Sequence, residues 1–130
     1  MKLQYTTDCA LHMLAYIAGE NGRIIPPREL EENIQFPQQS IFNAARKLKK
    51  AGFINTVAGP FGGYTLGKPP KNISIQDVLA LFNDTFSICR RKEPDGTATL
   101  KNFVKRVKDI EDDFVQEMSR TTLADLLPAK

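Results

Sequence analysis

The chain has 130 residues, 42% of them hydrophobic and 25% charged, with a formal net charge of +3. That size and composition fit one packed domain with an appended element, and exclude both two separately cored domains and a disordered chain. The charge is unevenly split: residues 1–71 carry 9 Lys/Arg against 5 Asp/Glu, residues 72–130 carry 9 against 10, so the first part is mildly basic. No run of about 18 apolar residues exists and residues 1–8 are polar where a secretory leader needs an apolar stretch, so a cytoplasmic protein with no membrane partner is expected. Two cysteines, Cys9 and Cys89, do not make a disulfide framework.

Helical periodicity first appears over 7–19, where Leu11, Leu14, Ala15 and Ala18 share a face and Thr6 or Thr7 can cap the start. Asn21-Gly22 ends it. Pro26-Pro27 opens a short helix over 27–33, because proline in a first turn forfeits only an N–H that has no partner there. Phe36-Pro37 punctuates, and a third helix is expected over 38–51 with Ile41, Phe42, Ala45 and Leu48 inward and Gly52 as its C-terminal cap. Two short strands, 53–57 and 64–66, flank the turn Gly59-Pro60-Phe61-Gly62-Gly63. Ser74-Ile75-Gln76-Asp77 resembles a capped helix start, with Ile75, Val78, Leu79 and Phe82 inward. A loop follows over 87–96, containing Cys89 and the basic triplet Arg90-Arg91-Lys92. A long helix over 99–119 carries Leu100, Phe103, Val107, Ile110 and Phe114 at alternating spacings of three and four, a seam suited to a partner helix. Thr121 or Thr122 caps a last turn over 123–127.

Three helices followed by a two-stranded hairpin is the winged helix-turn-helix order. The fold class expected is therefore mainly α, with a two-stranded wing and a long C-terminal dimerisation helix. The division follows: residues 1–83 as a DNA-binding winged helix, residues 84–130 as a sensor loop and dimerisation helix.

In that arrangement the helix over 38–51 enters the major groove of double-stranded DNA. Gln38, Gln39, Ser40 and Asn43 can address base edges, since amide side chains bond adenine bidentately. Arg46, Lys47, Lys49 and Lys50 lie further along and suit phosphates. The same residues would also serve as an ordinary solvated helix face. The hairpin favours the DNA reading, because Gly59, Gly62 and Gly63 let backbone N–H groups approach a phosphate. A nucleotide phosphate loop is poorly supported, because no Lys-Ser or Lys-Thr pair follows and no helix starts there. With one histidine and no nucleophile–base set, an enzyme is not expected.

Leu3, Asp8-Cys9-Ala10, Ala51-Gly52-Phe53-Ile54, Gly59-Pro60-Phe61-Gly62-Gly63-Tyr64-Thr65-Leu66, Ile75-Gln76-Asp77-Val78 and Thr122-Leu123-Ala124-Asp125-Leu126 together resemble the Rrf2 family of winged-helix regulators, over almost the whole chain. The resemblance implies a homodimer whose long helices cross and which binds palindromic DNA. It also implies control by a ligand, often an iron–sulfur cluster held by three cysteines in the loop before the long helix. Here the sequence departs from the family: that loop has Cys89 alone, and the basic residue usual just before the wing's Gly-Pro is Ala58.

In some members the first helix lends a carboxylate or histidine to the cluster. Asp8 and His12, four apart on one face, could join Cys89 in holding a 2Fe–2S cluster or another transition metal. Such a set is one ligand short for a cluster, and Cys9 points about 100° away from Asp8 around the helix. A metal-free protein, or one in which Cys89 beside its three cations is a reactive thiol, is the competing expectation. A protein-interaction module that keeps the winged helix without reading DNA is the alternative function.

Overall fold

The computed structural model describes residues 3–20, 22–84 and 96–128. Helix α1 runs Tyr5–Gly19, α2 Pro27–Ile34 and α3 Gln38–Lys50; strands β1, Ile54–Val57, and β2, Gly63–Leu66, make the wing; α4 spans Ile75–Leu81, α5 Ala98–Arg120 and α6 Leu123–Leu126. Among the described residues no helix is long and apolar enough to cross a membrane.

Helix α1 starts two residues before the expected position. Its cap residue is Gln4, whose side chain makes no capping bond; the Gln4 backbone N–H donates instead to the Asp84 carboxylate at 3.0 Å. Thr6 and Thr7 therefore lie inside the helix, and Thr7 is fully buried. The two extra residues place the Tyr5 ring 5.2 Å from that of Phe36. The buried face is Cys9, Ala10, Met13, Leu14, Ile17 and Ala18, so Ala15, expected inward, is exposed. Alanine at that position gave no signal strong enough to fix the rotation of the stripe.

The turn between α2 and α3 is three residues long, and each is committed. Gln35 takes the left-handed conformation (φ 61°) and its N–H donates to the Glu31 carbonyl at 3.2 Å, closing α2 as glycine commonly does. Phe36 is buried in the core, and Pro37 precedes the first turn of α3. At the far end Gly52 (φ +82°) reverses the chain while Phe53 N–H reaches back to the Leu48 carbonyl at 2.9 Å. These two ends set the angle at which α3 stands on α1 and the distance from α3 to the wing.

A polar brace holds α2 to α1. The Tyr16 hydroxyl donates to Glu29 at 2.6 Å, and Arg23 in the intervening loop forks onto both Glu29 oxygens, one at 2.8 Å. Arg23 first, then Tyr16, holds the Glu29 carboxyl down to about 2, and Glu29 pushes the Tyr16 phenol up to about 12. A carboxylate whose folded-state value lies below its unfolded one stabilises above the unfolded value of 4.5 and loses that contribution as pH falls towards about 2. Glu29→Gln should therefore lower Tm by a few degrees at pH 7. The gap between wild type and variant should narrow steadily in melts recorded from pH 4.5 down towards about pH 2. A gap unchanged by acid would mean that the carboxylate charge is not its source.

The wing strands are antiparallel with Ile54 opposite Leu66 and Val57 opposite Gly63. Ile25 adds a reciprocal backbone pair to Tyr64, 2.9 Å in each direction, tying the wing to the loop before α2. Ser74 and Asp77 cap α4 reciprocally at 3.0 and 2.9 Å, as the sequence pattern implied. Leu123 of α6 inserts into the same core as α1 and α4, so the C-terminal turn is packed onto the winged helix.

Helix α5 has two apolar flanks. Val104, Val107, Glu111, Val115 and Met118 are partly or fully buried. Beside them Leu100, Phe103, Ile110 and Phe114 remain 52%, 56%, 42% and 47% exposed. The apolar arc thus spans roughly 140° at 100° per residue, and its second flank is about half exposed.

Candidate nucleic-acid interface

Helix α3 has the sequence Gln-Gln-Ser-Ile-Phe-Asn-Ala-Ala-Arg-Lys-Leu-Lys-Lys, without a single acidic residue. Ile41, Ala44, Ala45 and Leu48 fill its inner face and are buried. Gln39, Asn43, Arg46 and Lys50 follow one another at spacings of three and four along the opposite face, all exposed, with Lys47 on one border. Gln38 is the first helical residue and exposed, while Ser40 is half-buried on the shoulder. Lys47, Lys49 and Lys50 occupy the last turn, where the negative end of the helix dipole favours cations. The amide end of α3 and its cationic end are thus separated along the helix, as groove reading followed by phosphate contact requires.

Two of these side chains meet. Gln39 Nε2 donates to Asn43 Oδ1 at 3.1 Å. The Lys47 ammonium lies 5.3 Å from the centre of the Phe82 ring, which fixes this cation against the end of α4. At the base of the wing Lys68 sits 4.8 Å over the Phe53 ring, a cation the sequence reading overlooked.

Phe42 does not join the buried stripe. It is 41% exposed on the flank of α3, because 41, 44, 45 and 48 already complete the inward face and 42 falls off it. An exposed aromatic beside Gln39 and Asn43 can meet thymine methyl groups.

The wing glycines divide in function. Gly63 is buried, and a Cβ there would stand 2.2 Å from the Ile25 carbonyl oxygen; at Gly62 it would stand 1.9 Å from that of Val57. Their missing side chains are used inside the protein rather than towards an anion. Gly62 N–H is also committed to the Gly59 carbonyl at 3.0 Å. Gly59 alone faces open space, at φ +99°.

Asp8 and His12 lie together on the exposed side of α1. His12 Nδ1 faces the Asp8 carbonyl at 2.8 Å and its carboxylate at 3.1 Å, and the ring packs 5.2 Å from Phe36. Cys9 is fully buried, and burial first, then the Asp8 charge, pushes its thiol up to about 11. A thiol in that setting is inert. Cys89 lies outside the described residues, and among those described no three His, Cys, Asp or Glu side chains are grouped to hold a metal.

Three helices, a turn of three residues and a braced hairpin define a winged helix-turn-helix protein. The model of the Rrf2 family, described as an iron-dependent transcriptional regulator, matches residues 3–129, and the chain belongs to that family. Its members are transcriptional regulators and not enzymes. BadM of Rhodopseudomonas palustris, named for a transcriptional regulator of the HTH type, is 25% identical over 98% of this chain and 81% of its own length. The HTH-type regulator NsrR of Bacillus licheniformis is 28% identical over 68% of this chain and 62% of its own length. Among solved structures, Staphylococcus aureus CymR in its oxidized form superposes with a TM-score of 0.77 at 25% identity, covering 100% of this chain and 98% of that one. The global cysteine regulator CymR of B. subtilis gives 0.79 at 20% identity over 97% and 95% of the two chains, a likeness of fold.

The family's iron prompts a test of fit. Two cysteines in the whole sequence, one of them sealed in the core, fall short of a three-cysteine cluster site. Asp8 and His12 supply two donors turned towards each other. The residues present do not fit that cluster.

Proposed function

We propose that the chain is a homodimeric, cytoplasmic regulator that binds a palindromic operator in double-stranded DNA, reading bases with α3 and approaching the adjacent groove with the wing. Residues 1–83 supply the DNA-reading surface and residues 84–130 the pairing helix. The observation that carries the reading is the outer face of α3: amides at its first turns, then Arg46 and Lys50 with Lys47 on the border and no acid anywhere, on a helix whose opposite face is wholly committed to the core. Gln38, Gln39, Ser40 and Asn43 address bases; Arg46, Lys47 and Lys50 meet phosphates. The exposed flank Leu100, Phe103, Ile110 and Phe114, with Val107 at its border, supports pairing through α5, since so large an apolar strip is rarely left in water. Occupancy of the operator answers to a signal other than a three-cysteine cluster.

Selection of genomic fragments by the purified protein tests this. The expected result is an inverted repeat with half-sites one helical turn apart, bound with an affinity that falls steeply with salt as counterions are released. A protein that selects no duplex and retains a protein partner instead would be an interaction module, and the reading would fall.

A further inference from the structure

The wing carries no charge at all. No Lys, Arg, Asp or Glu occurs anywhere in residues 51–67. A wing of this kind cannot grip phosphates by ion pairing. Yet its tip displays Phe61, 93% exposed, far more than any other large hydrophobic side chain among the described residues.

The tip is a built shape. The Gly62 N–H closes the turn onto the Gly59 carbonyl, Gly59 holds a positive φ, and Gly62 and Gly63 pack so closely on the Val57 and Ile25 carbonyls that no side chain fits. The Ile25–Tyr64 backbone pair anchors the hairpin to the body. These contacts fix the backbone that carries Phe61 and hold its side chain away from the body, 93% exposed. With glycine at 59, 62 and 63, the only bulk at the tip is Pro60 and Phe61.

We infer that Phe61 is an apolar wedge that enters the DNA minor groove beside the α3 site and partly unstacks a base step there. The inference rests on the DNA-binding reading above. The groove is about 6 Å wide, and a tip whose only bulk is Pro60 and Phe61 presents little else to its walls. Phenylalanine is one of the side chains that insert between base steps and kink the duplex. The cost of unstacking is least at flexible pyrimidine–purine steps, so the wedge would confer a preference for such a step without a hydrogen bond to any base. A wing of neutral residues and one aromatic adds shape selectivity, while the cations of α3 supply the salt-sensitive attraction.

The test uses the full-length protein and a duplex from the selection, with 2-aminopurine placed in turn at steps beside each half-site. Wild type should raise the reporter's fluorescence at one step per half-site. Phe61→Ala should abolish that rise and weaken binding at least tenfold, with the slope of affinity against salt unchanged. Phe61→Trp should retain the rise. Phe61→Ala should melt at the wild-type temperature, since the side chain touches almost nothing in the protein. Wild-type affinity and fluorescence in Phe61→Ala would overturn the inference, as would a change of oligomeric state or loss of a protein partner in that variant with DNA binding intact. If wild type itself binds no duplex, the DNA-binding reading has failed first, and the wild-type titration alone reveals it.

Discussion

Phe103→Asp will convert the protein to monomers and weaken operator binding by about a hundredfold or more. In the protomer the Phe103 ring is 56% exposed and Ile110, seven residues or about two turns further on, 42%. Burying a side chain of this size contributes about 1.5–3 kcal/mol, and a two-fold interface counts each residue twice. Aspartate removes that contribution and places two carboxylates in the seam, so the dimer dissociation constant should rise by about three orders of magnitude. The fold itself should survive, because Phe103 is more than half exposed in the protomer and lends little to the packing of α5. Sedimentation and a thermal melt separate the two effects. Lys105→Ala, exposed and off the apolar arc, should leave the mass unchanged. A Phe103→Asp protein that still sediments as a dimer would refute pairing through α5.

The order of elements was legible because each boundary carries a local chemical mark. Pro27 opens α2, Gly52 closes α3, Ser74 with Asp77 caps α4, and the glycine-rich turn joins β1 to β2. These marks act over three or four residues, which is the range a sequence displays directly. Rotations of helices were less legible. Ala15 and Phe42 were placed inward by spacing, yet the three-dimensional core takes Cys9, Met13 and Ala44 instead. The start of α1 was missed for a similar reason: its extension depends on Phe36 and Asp84, far along the chain. The wing glycines look alike in sequence. Only the approach of the Ile25 and Val57 carbonyls separates the two that serve packing from Gly59. Lys47 on Phe82 and Lys68 on Phe53 join residues distant in the chain, and no local pattern foretells them.

Removing the amides of α3 and removing its cations should fail in different ways. The bond from Gln39 Nε2 to Asn43 Oδ1, on an exposed face, leaves the Gln39 Oε1 acceptor and the Asn43 Nδ2 donors to bond a base. An acceptor beside a donor complements the N6 donor and N7 acceptor of adenine in the major groove, and such a bidentate match is worth about 1–3 kcal/mol of discrimination. Asn43→Ala should therefore lower affinity for the selected operator by about five- to a hundredfold while leaving binding to unrelated duplexes unchanged. Gln39→Ala should do much the same, and the double variant should lose little more, because each side chain positions the other. Lys50→Ala should weaken every duplex alike and reduce the salt slope by about 0.9 for each half-site. Lys47→Ala should resemble it, with a small loss of Tm as well, since that ammonium also holds the Phe82 ring. The comparison is decisive because the two classes of residue share one exposed face and differ only in what they can bond. If Asn43→Ala weakened operator and random duplex equally, α3 would lie along the phosphates rather than in the groove, and base selection would have to come from the wing.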